Sequence, residues 1–304
     1  LGGIRQMSCL VARTLGDGGF ERAVWGNAGT GKTKAEAKQV ALRWETTGLA
    51  AVTLPEIVRV PKAGGGDSRW YFNSAFEGQL GLQISRRGIS DAHWQLLTLA
   101  LAIQIRHGSF GAKDQFGLGV LALTEGARPF AVPLDASSDL PKVVPATPGE
   151  LNLLRHSFGR LRFRVAPGQR PILSRSIALN LALATRATLR NALRAKPDAS
   201  DTEQARLTAL RHQMLGKLNQ FGSAVNVSAA YATEDGVELR LAVALKPDTA
   251  AERGEVMKAF AAAAGHIDTM IDRIGYRVDG KIDWEFGGAH LSTRAAWLNK
   301  LAGV

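Results

Sequence analysis

The order of elements along the chain predicts an α+β protein of two βαββαβ units with antiparallel sheets. Three observations carry this. Strand-like runs come in adjacent pairs, 50–60 with 70–84 and 224–231 with 237–245, which predicts hairpins rather than parallel crossovers. Helical stretches flank each pair. A stretch with five prolines, RPFAVPLDASSDLPKVVPATP, marks a linker or extended arm over 128–149 and divides the chain into 1–127 and 150–304. Both sides repeat the same order, that of the ferredoxin-like or RRM-like unit.

The first half opens with a predicted helix, Ile4–Leu15, stopped at GDGG (16–19). Thr33–Thr47 is rich in Ala, Lys, Glu and Gln, ends at Gly48 and predicts a second helix. AAVTLPEIVRV (50–60) and WYFNSAFEGQLGLQI (70–84) predict strands, with a turn signal between them at GGGD (64–67). Ser90 and Asp91 can cap a helix from Ala92 to His107, with Trp94, Leu97, Leu101 and Ile105 at helical spacing. The loop GSFGAKDQFGLG (108–119) leads to a predicted buried strand, VLAL (120–123). The leading strand of this unit is expected upstream of Leu1.

In the second half LRFRV (161–165) supplies that leading strand. Ser176–Ala195 predicts a helix. A second helix spans about 202–220, with Leu207, Leu210, Met214, Leu218 and Phe221 on one stripe. AVNVSAAY (224–231) and VELRLAVAL (237–245) predict a hairpin across TEDG. A helix from Ala250 to Asp272 and a last strand within YRVDGKIDWEF (276–286) complete the unit.

Thirty-eight Lys and Arg against 27 Asp and Glu leave a formal charge of +11, which favours a polyanionic partner, most often nucleic acid. The single cysteine, Cys9, excludes an intrachain disulfide and a thiolate metal cluster, and reads as core. No apolar run reaches the roughly 18 residues that span a bilayer, and no signal peptide is present, so a cytoplasmic protein without a membrane partner is expected.

Residues 26–33, GNAGTGKT, fit the phosphate-loop pattern GxxxxGK(S/T). A working phosphate loop also needs a buried leading strand, and FERAVW (20–25) offers only three apolar residues after a Glu–Arg pair. No aspartate closes a second strand at the right place: Glu125 comes one residue late, and FAVPLD (130–135) carries a proline. The stretch therefore reads as a glycine-rich connection whose Lys32 is available to a phosphate backbone.

HGSFGAKDQFGLGVL (107–121) resembles the glycine-rich loop of the RAMP superfamily of CRISPR–Cas RNA-binding proteins, in particular the first-subunit family of the type III-B Cmr effector complex. Gly111, Ala112, Lys113, Gln115, Phe116, Gly117, Gly119 and Val120 match its G-A-K-T-Q-(F/Y)-G-(F/Y)-G-V-like segment; Asp114 and Leu118 depart from it. LGGIR (1–5), VWG (24–26), ATLRNALR (187–194) and LNQFGSAVNVS (218–228) resemble further segments of the family in the right order. The insertion from Gly26 to Pro55 departs from the pattern. The resemblance implies a non-catalytic subunit without cofactor or small-molecule substrate. It would contact guide RNA and complementary target RNA and assemble with other type III effector subunits in antiviral defence.

The chemistry fits that expectation. Glycines let the backbone approach a sugar–phosphate chain and expose amides to phosphate oxygens. Lys113 adds charge, Gln115 a paired donor and acceptor, and Phe116 a stacking face. Arg5 can face the same cleft, and Arg86 and Arg87 sit at a strand end. Arg186, Arg190 and Arg194 make one helical stripe, while Arg160, Arg162 and Arg164 alternate on one strand face. Two alternatives stay open. One is an RNA endonuclease of the same superfamily, using His107 or Asp114. The other is a phosphate-loop NTPase using Lys32.

Overall fold

The computed structural model describes residues 2–29, 34–46, 48–53, 59–60, 69–70, 74–110, 119–124, 130–135, 153–164, 175–216, 223–233, 236–244, 281–286 and 293–304. The chain is mixed α+β, and every strand pair described is antiparallel.

Helix α1 (Gly2–Thr14) buries Ile4, Met7, Leu10 and Val11, the stripe its period predicts. Helix α2 (Phe20–Trp25) stands where a phosphate loop would need its leading strand. FERAVW is a helix, because Phe20, Val24 and Trp25 fall on one side and pack into the α1 core; the Trp25 indole N–H donates to Ser8 Oγ at 3.0 Å. A correction follows it. The helix expected over Thr33–Thr47 is absent among its described residues, and strand β1 (Val40–Glu45) runs there instead. Val40, Leu42 and Trp44 alternate toward the core, and this period of two prevails over the helix-favouring composition before it.

β1 begins a long two-stranded ribbon. β2 (Ala50–Thr53), β3 (Arg59–Val60), β4 (Arg69–Trp70), β5 (Ser74–Glu77) and β6 (Gly81–Arg86) follow, and they nest as β1–β6, β2–β5 and β3–β4. The pairing expected of 50–60 with 70–84 is thus present, and GGGD (64–67) lies outside the described residues. The register steps from Glu45 opposite Gly81 to Ala50 opposite Glu77, so one side carries an extra residue between the first two pairings. Gly78, at φ +135°, packs its backbone on the Gly48 carbonyl there, where a Cβ would overlap. At the base of the ribbon Leu42 pairs with Ile84 and Trp44 with Leu82, and all four rest on the first-half core. Helix α3 (Asp91–His107) covers this face. It is capped by Ser90, whose hydroxyl accepts the His93 N–H at 3.2 Å, as its sequence predicts.

The second half forms a five-stranded sheet from β7 (His156–Arg164), β8 (Val225–Val227), β9 (Tyr231–Thr233), β10 (Gly236–Ala244) and β11 (Lys281–Phe286). Its order is β11–β7–β10–β8, with β9 on β10. Helices α4 (Arg175–Ala192) and α5 (Asp201–Leu215) cover one face, burying Leu161 with Val237, Leu239, Leu241 and Val243. The helix expected over 250–272 lies outside the described residues. The alternate residues of β7 and β10 turn toward the first half.

Three connections cross the midpoint. Helix α6 (Arg294–Ala302) sends Trp297, Leu298 and Leu301 into the first-half core, together with Leu153 and Phe158. Within the Pro-rich stretch, 130–135 is irregular and strapped down. Asn299 bonds Leu134 both ways, at 2.8 and 2.7 Å, and Gln95 donates to Pro133 O at 2.6 Å. The expected strand VLAL is also corrected: 119–124 is irregular and Leu123 is 54% exposed. The Leu121 carbonyl accepts from the Arg240 guanidinium instead of entering a ladder.

Candidate nucleic-acid interface

The glycine loop leaves α3 at Gly108 and returns at Gly119. Of its predicted contacts, Gly111, Lys113, Gln115, Phe116 and Gly117 lie outside the described residues, but its neck is defined. The Phe110 N–H donates to Gly119 O at 2.7 Å, closing the loop. Gly119 sits at φ +84°, in the region where only glycine is unstrained, and a Cβ on it would overlap the Phe110 carbonyl. Gln104 Nε2 donates to Ser109 O at 2.6 Å, and Asn226 Nδ2 reaches from β8 to Ser109 Oγ at 3.1 Å.

Beneath the neck lies a charged network on the inner face of the sheet. Register places Glu238 opposite Arg162 and Arg240 opposite Arg160 across β10 and β7. The Glu238 side chain is 5% exposed; it meets Arg162 Nε at 2.9 Å and Arg160 at 3.4 Å. The Tyr231 hydroxyl donates to Glu238 and accepts from Arg240 Nε at 2.8 Å. Burial, ahead of every other influence, pushes that phenol up to about 12, so it keeps its proton at neutral pH. Arg240 then donates to the carbonyls of Ile105 and Leu121, which stand on either side of the loop. One side chain therefore fastens both ends of the neck to the second-half sheet. Arg160 and Arg162 thus pair with Glu238, and Arg240 reaches it through the Tyr231 hydroxyl; on the other side of β7 the register sets Asp283 opposite Arg160.

The other expected contacts divide. Arg5 is engaged by Glu21 at 2.9 Å, which Arg13 also reaches at 3.1 Å. Arg86 has a structural role: it pairs with Asp91 at 2.5 Å, donates to Ile89 O at 3.1 Å and lies 5.4 Å from the Trp94 ring centroid. Arg87 is exposed beside it. Arg190 is exposed on α4 and Arg194 just past its end, and Arg186 leans on the Leu215 carbonyl at the end of α5. Because α4 lies behind the sheet, these three are not brought to the neck. Arg160 and Arg162 are, whereas the Arg164 side chain lies outside the described residues. Lys32 lies outside as well, but Asn27 and Glu36 close its loop with paired backbone bonds of 3.0 and 2.9 Å. That loop joins the end of α2 to the approach to β1. The strand-then-helix frame of a phosphate loop is reversed, and the NTPase reading falls.

His107 is buried, 5.0 Å from the Phe158 ring, with Nε2 3.0 Å from Leu301 O. That position suits a structural wedge rather than a general base, and the nuclease reading loses its best residue. Asp114 lies outside the described residues. Burial first, and then the Arg160 charge, drive the His107 ring down to about 3. The folded value lies below the unfolded one, so the contribution is complete near neutrality. It is lost as pH falls below the ordinary histidine value, where the unfolded chain binds a proton that the native ring refuses. Denaturant unfolding is expected to show a loss of about 1.4 kcal/mol between about pH 6 and about pH 5 from this group. His107→Gln, which keeps an N–H for Leu301, is expected to flatten that part of the profile.

Cys9 is buried in the α1 core, and burial pushes its thiol up to about 11. Among the described residues no group of three or more His, Cys, Asp or Glu is placed to hold a metal, and no helix is long and apolar enough to cross a membrane. Arg240, Glu238 and Tyr231 were not singled out in the sequence; the signal for the first two was the charge pair inside VELRLAVAL, and Tyr231 carried none. No family model, curated protein or solved structure matches the chain.

Proposed function

We propose that the chain is a non-catalytic RNA-binding subunit of a RAMP-type, type III CRISPR effector complex, contacting guide RNA and target RNA beside other effector subunits. The observation that carries this reading is the glycine-loop neck clamped over the Arg160–Arg162–Arg240 cluster. Backbone amides and guanidiniums together supply phosphate affinity with little sequence information, which suits a protein whose specificity comes from guide pairing.

The architecture supports it. The order β11–β7–β10–β8, with all pairs antiparallel, supports a ferredoxin-like reading of the second half. In the first half, α1, the β1–β6 hairpin and α3 follow the order of the same unit after its leading strand. The inner sheet face of the second half is covered by the first half, so on this reading RNA lies at the neck and not across that sheet.

Gel-shift titration against guide–target RNA tests the reading. Affinity is expected to fall linearly with salt on logarithmic axes. Lys113→Ala and Gln115→Ala are each expected to weaken binding several-fold. Unchanged binding in both removes the loop from the account, and absence of RNA affinity, alone or in complex, ends it.

A further inference from the structure

A pocket of about 580 Å³ lies between β6, α3 and residues 120–124. Leu82 and Ile84 of β6, Leu101 and Ile105 of α3, and Leu121 and Leu123 line it, and no charged side chain does. Its two sides also carry main-chain groups. Among the described residues β6 pairs with β1 alone, so its other edge is open. The facing stretch, 119–124, has the composition of a strand but enters no ladder. An apolar groove with an unpaired strand edge along one side fits an extended peptide, which bonds the edge and buries alternate side chains.

The second half shows which peptide belongs there. Its elements follow one another as β7, α4, β8, β10 and β11, and in the sheet β7 lies between β10 and β11, antiparallel to both. In the first half α1, β1, β6 and 119–124 take the places of α4, β8, β10 and β11. The counterpart of β7 then falls between β6 and 119–124, the two sides of the pocket. It runs antiparallel to β6 and finishes beside Gly81. Gly81 stands opposite Glu45, and the adjacent Trp44 meets Phe110, so this is the neck end of the pocket. Helix α1 starts at the same end, because a Cβ on Gly3 would stand 3.5 Å from Gln104 Nε2 and 3.8 Å from Ser109 O. A strand leaving the pocket there leads directly into α1. About six residues, at roughly 3.3 Å each, match the length of β6.

We propose that this pocket seats a β-strand of the same chain, supplied by residues that precede Leu1, and that the first-half sheet is completed in the order 119–124, leading strand, β6, β1. Gln83 and Ser85 are exposed on the other face of β6. The strand therefore alternates, apolar toward α3 and polar away from it. The proposal goes beyond the RNA-binding reading and does not depend on it.

The test compares residues 1–304 with the chain carrying the residues that its gene encodes before Leu1. That stretch is expected to show apolar–polar alternation over about five positions close to Leu1. Hydrogen exchange resolved by peptide is expected to slow about tenfold or more over 81–86 and 119–124 in the longer chain. β10, paired on both edges in either form, is expected to change less. Binding of the apolar dye ANS is expected to fall with it. An upstream stretch without the alternation, or equal exchange over 81–86 in the two forms, overturns the proposal. So does a dimer of the longer chain with β6 protected at its interface, which makes the occupant a second copy.

Discussion

Gly119→Ala is expected to weaken RNA binding by at least about tenfold and to lower the free energy of unfolding by about 2–3 kcal/mol. The argument is geometric. Gly119 holds φ at +84°, and a side chain there costs roughly 1–2 kcal/mol before any contact is counted. The added Cβ would then overlap the carbonyl of Phe110, whose own N–H bonds to Gly119 O at 2.7 Å. Relief requires the two sides of the neck to part, which breaks that bond and moves the Phe110 ring. Gly2→Ala is the control, since nothing lies within 4 Å of a Cβ built there. Denaturant midpoints and gel-shift affinities for both variants measure the difference. Equal affinity in the Gly119 variant would show that RNA does not depend on the closed neck.

Where periodicity and capping agreed, the fold was legible. Ser90 and Asp91 start α3 as its sequence predicts, and Trp94, Leu101 and Ile105 mark the face that it turns to the ribbon. The alternation in VELRLAVAL identifies β10 and its apolar face. Errors arose where composition was trusted over period. Ala, Lys, Glu and Gln before Val40 suggested a helix, while Val40, Leu42 and Trp44 were already alternating as a strand does. FERAVW, by contrast, reads as a poor leading strand, and its apolar residues fall at the spacing of one helical turn against α1. VLAL is apolar enough for a strand, but strand formation needs a neighbouring ladder, and its backbone is held by an arginine side chain instead.

The site was legible in its loop and illegible in its support. Glu238 and Arg240 occupy the polar positions of an alternating strand, the pattern of a half-solvated sheet. Arg160 and Arg162 occupy the equivalent positions of β7. Nothing local says that this face is covered, because the covering comes from α3 and the loop flanks, over a hundred residues away in sequence. The usable hint was charge arithmetic. A carboxylate and three arginines on the same face of two neighbouring strands form a network only if those strands pair. The expected βαββαβ order pairs them.

That network makes Arg240→Met the second large effect, an expected loss of about 3–5 kcal/mol in unfolding free energy. Methionine replaces most of the apolar stem but none of the donors. The carbonyls of Ile105 and Leu121 lose their partner, each costing about 1–3 kcal/mol where water does not reach, and Tyr231 loses the Arg240 contact of 2.8 Å. Glu238 keeps Arg160 and Arg162, so the loss reports the tie between the halves and not an orphaned charge. The Arg240 N–H still donates to the Ser228 hydroxyl at 2.8 Å and the Arg240 carbonyl still accepts the Ser228 N–H at 2.9 Å, so β10 stays in its sheet. Arg162→Met is the comparison. Its side chain is 56% exposed and Arg160 still faces Glu238, so the expected cost stays within about 1 kcal/mol. A cycle combining Arg240→Met with Glu238→Gln measures the coupling that runs through Tyr231, expected at about 1–2 kcal/mol. An Arg240→Met protein as stable as Arg162→Met would mean that α6 and the strapped segment hold the halves together by themselves. The neck would then be a passenger on the sheet, and the RNA affinity of this variant would match that of the wild type.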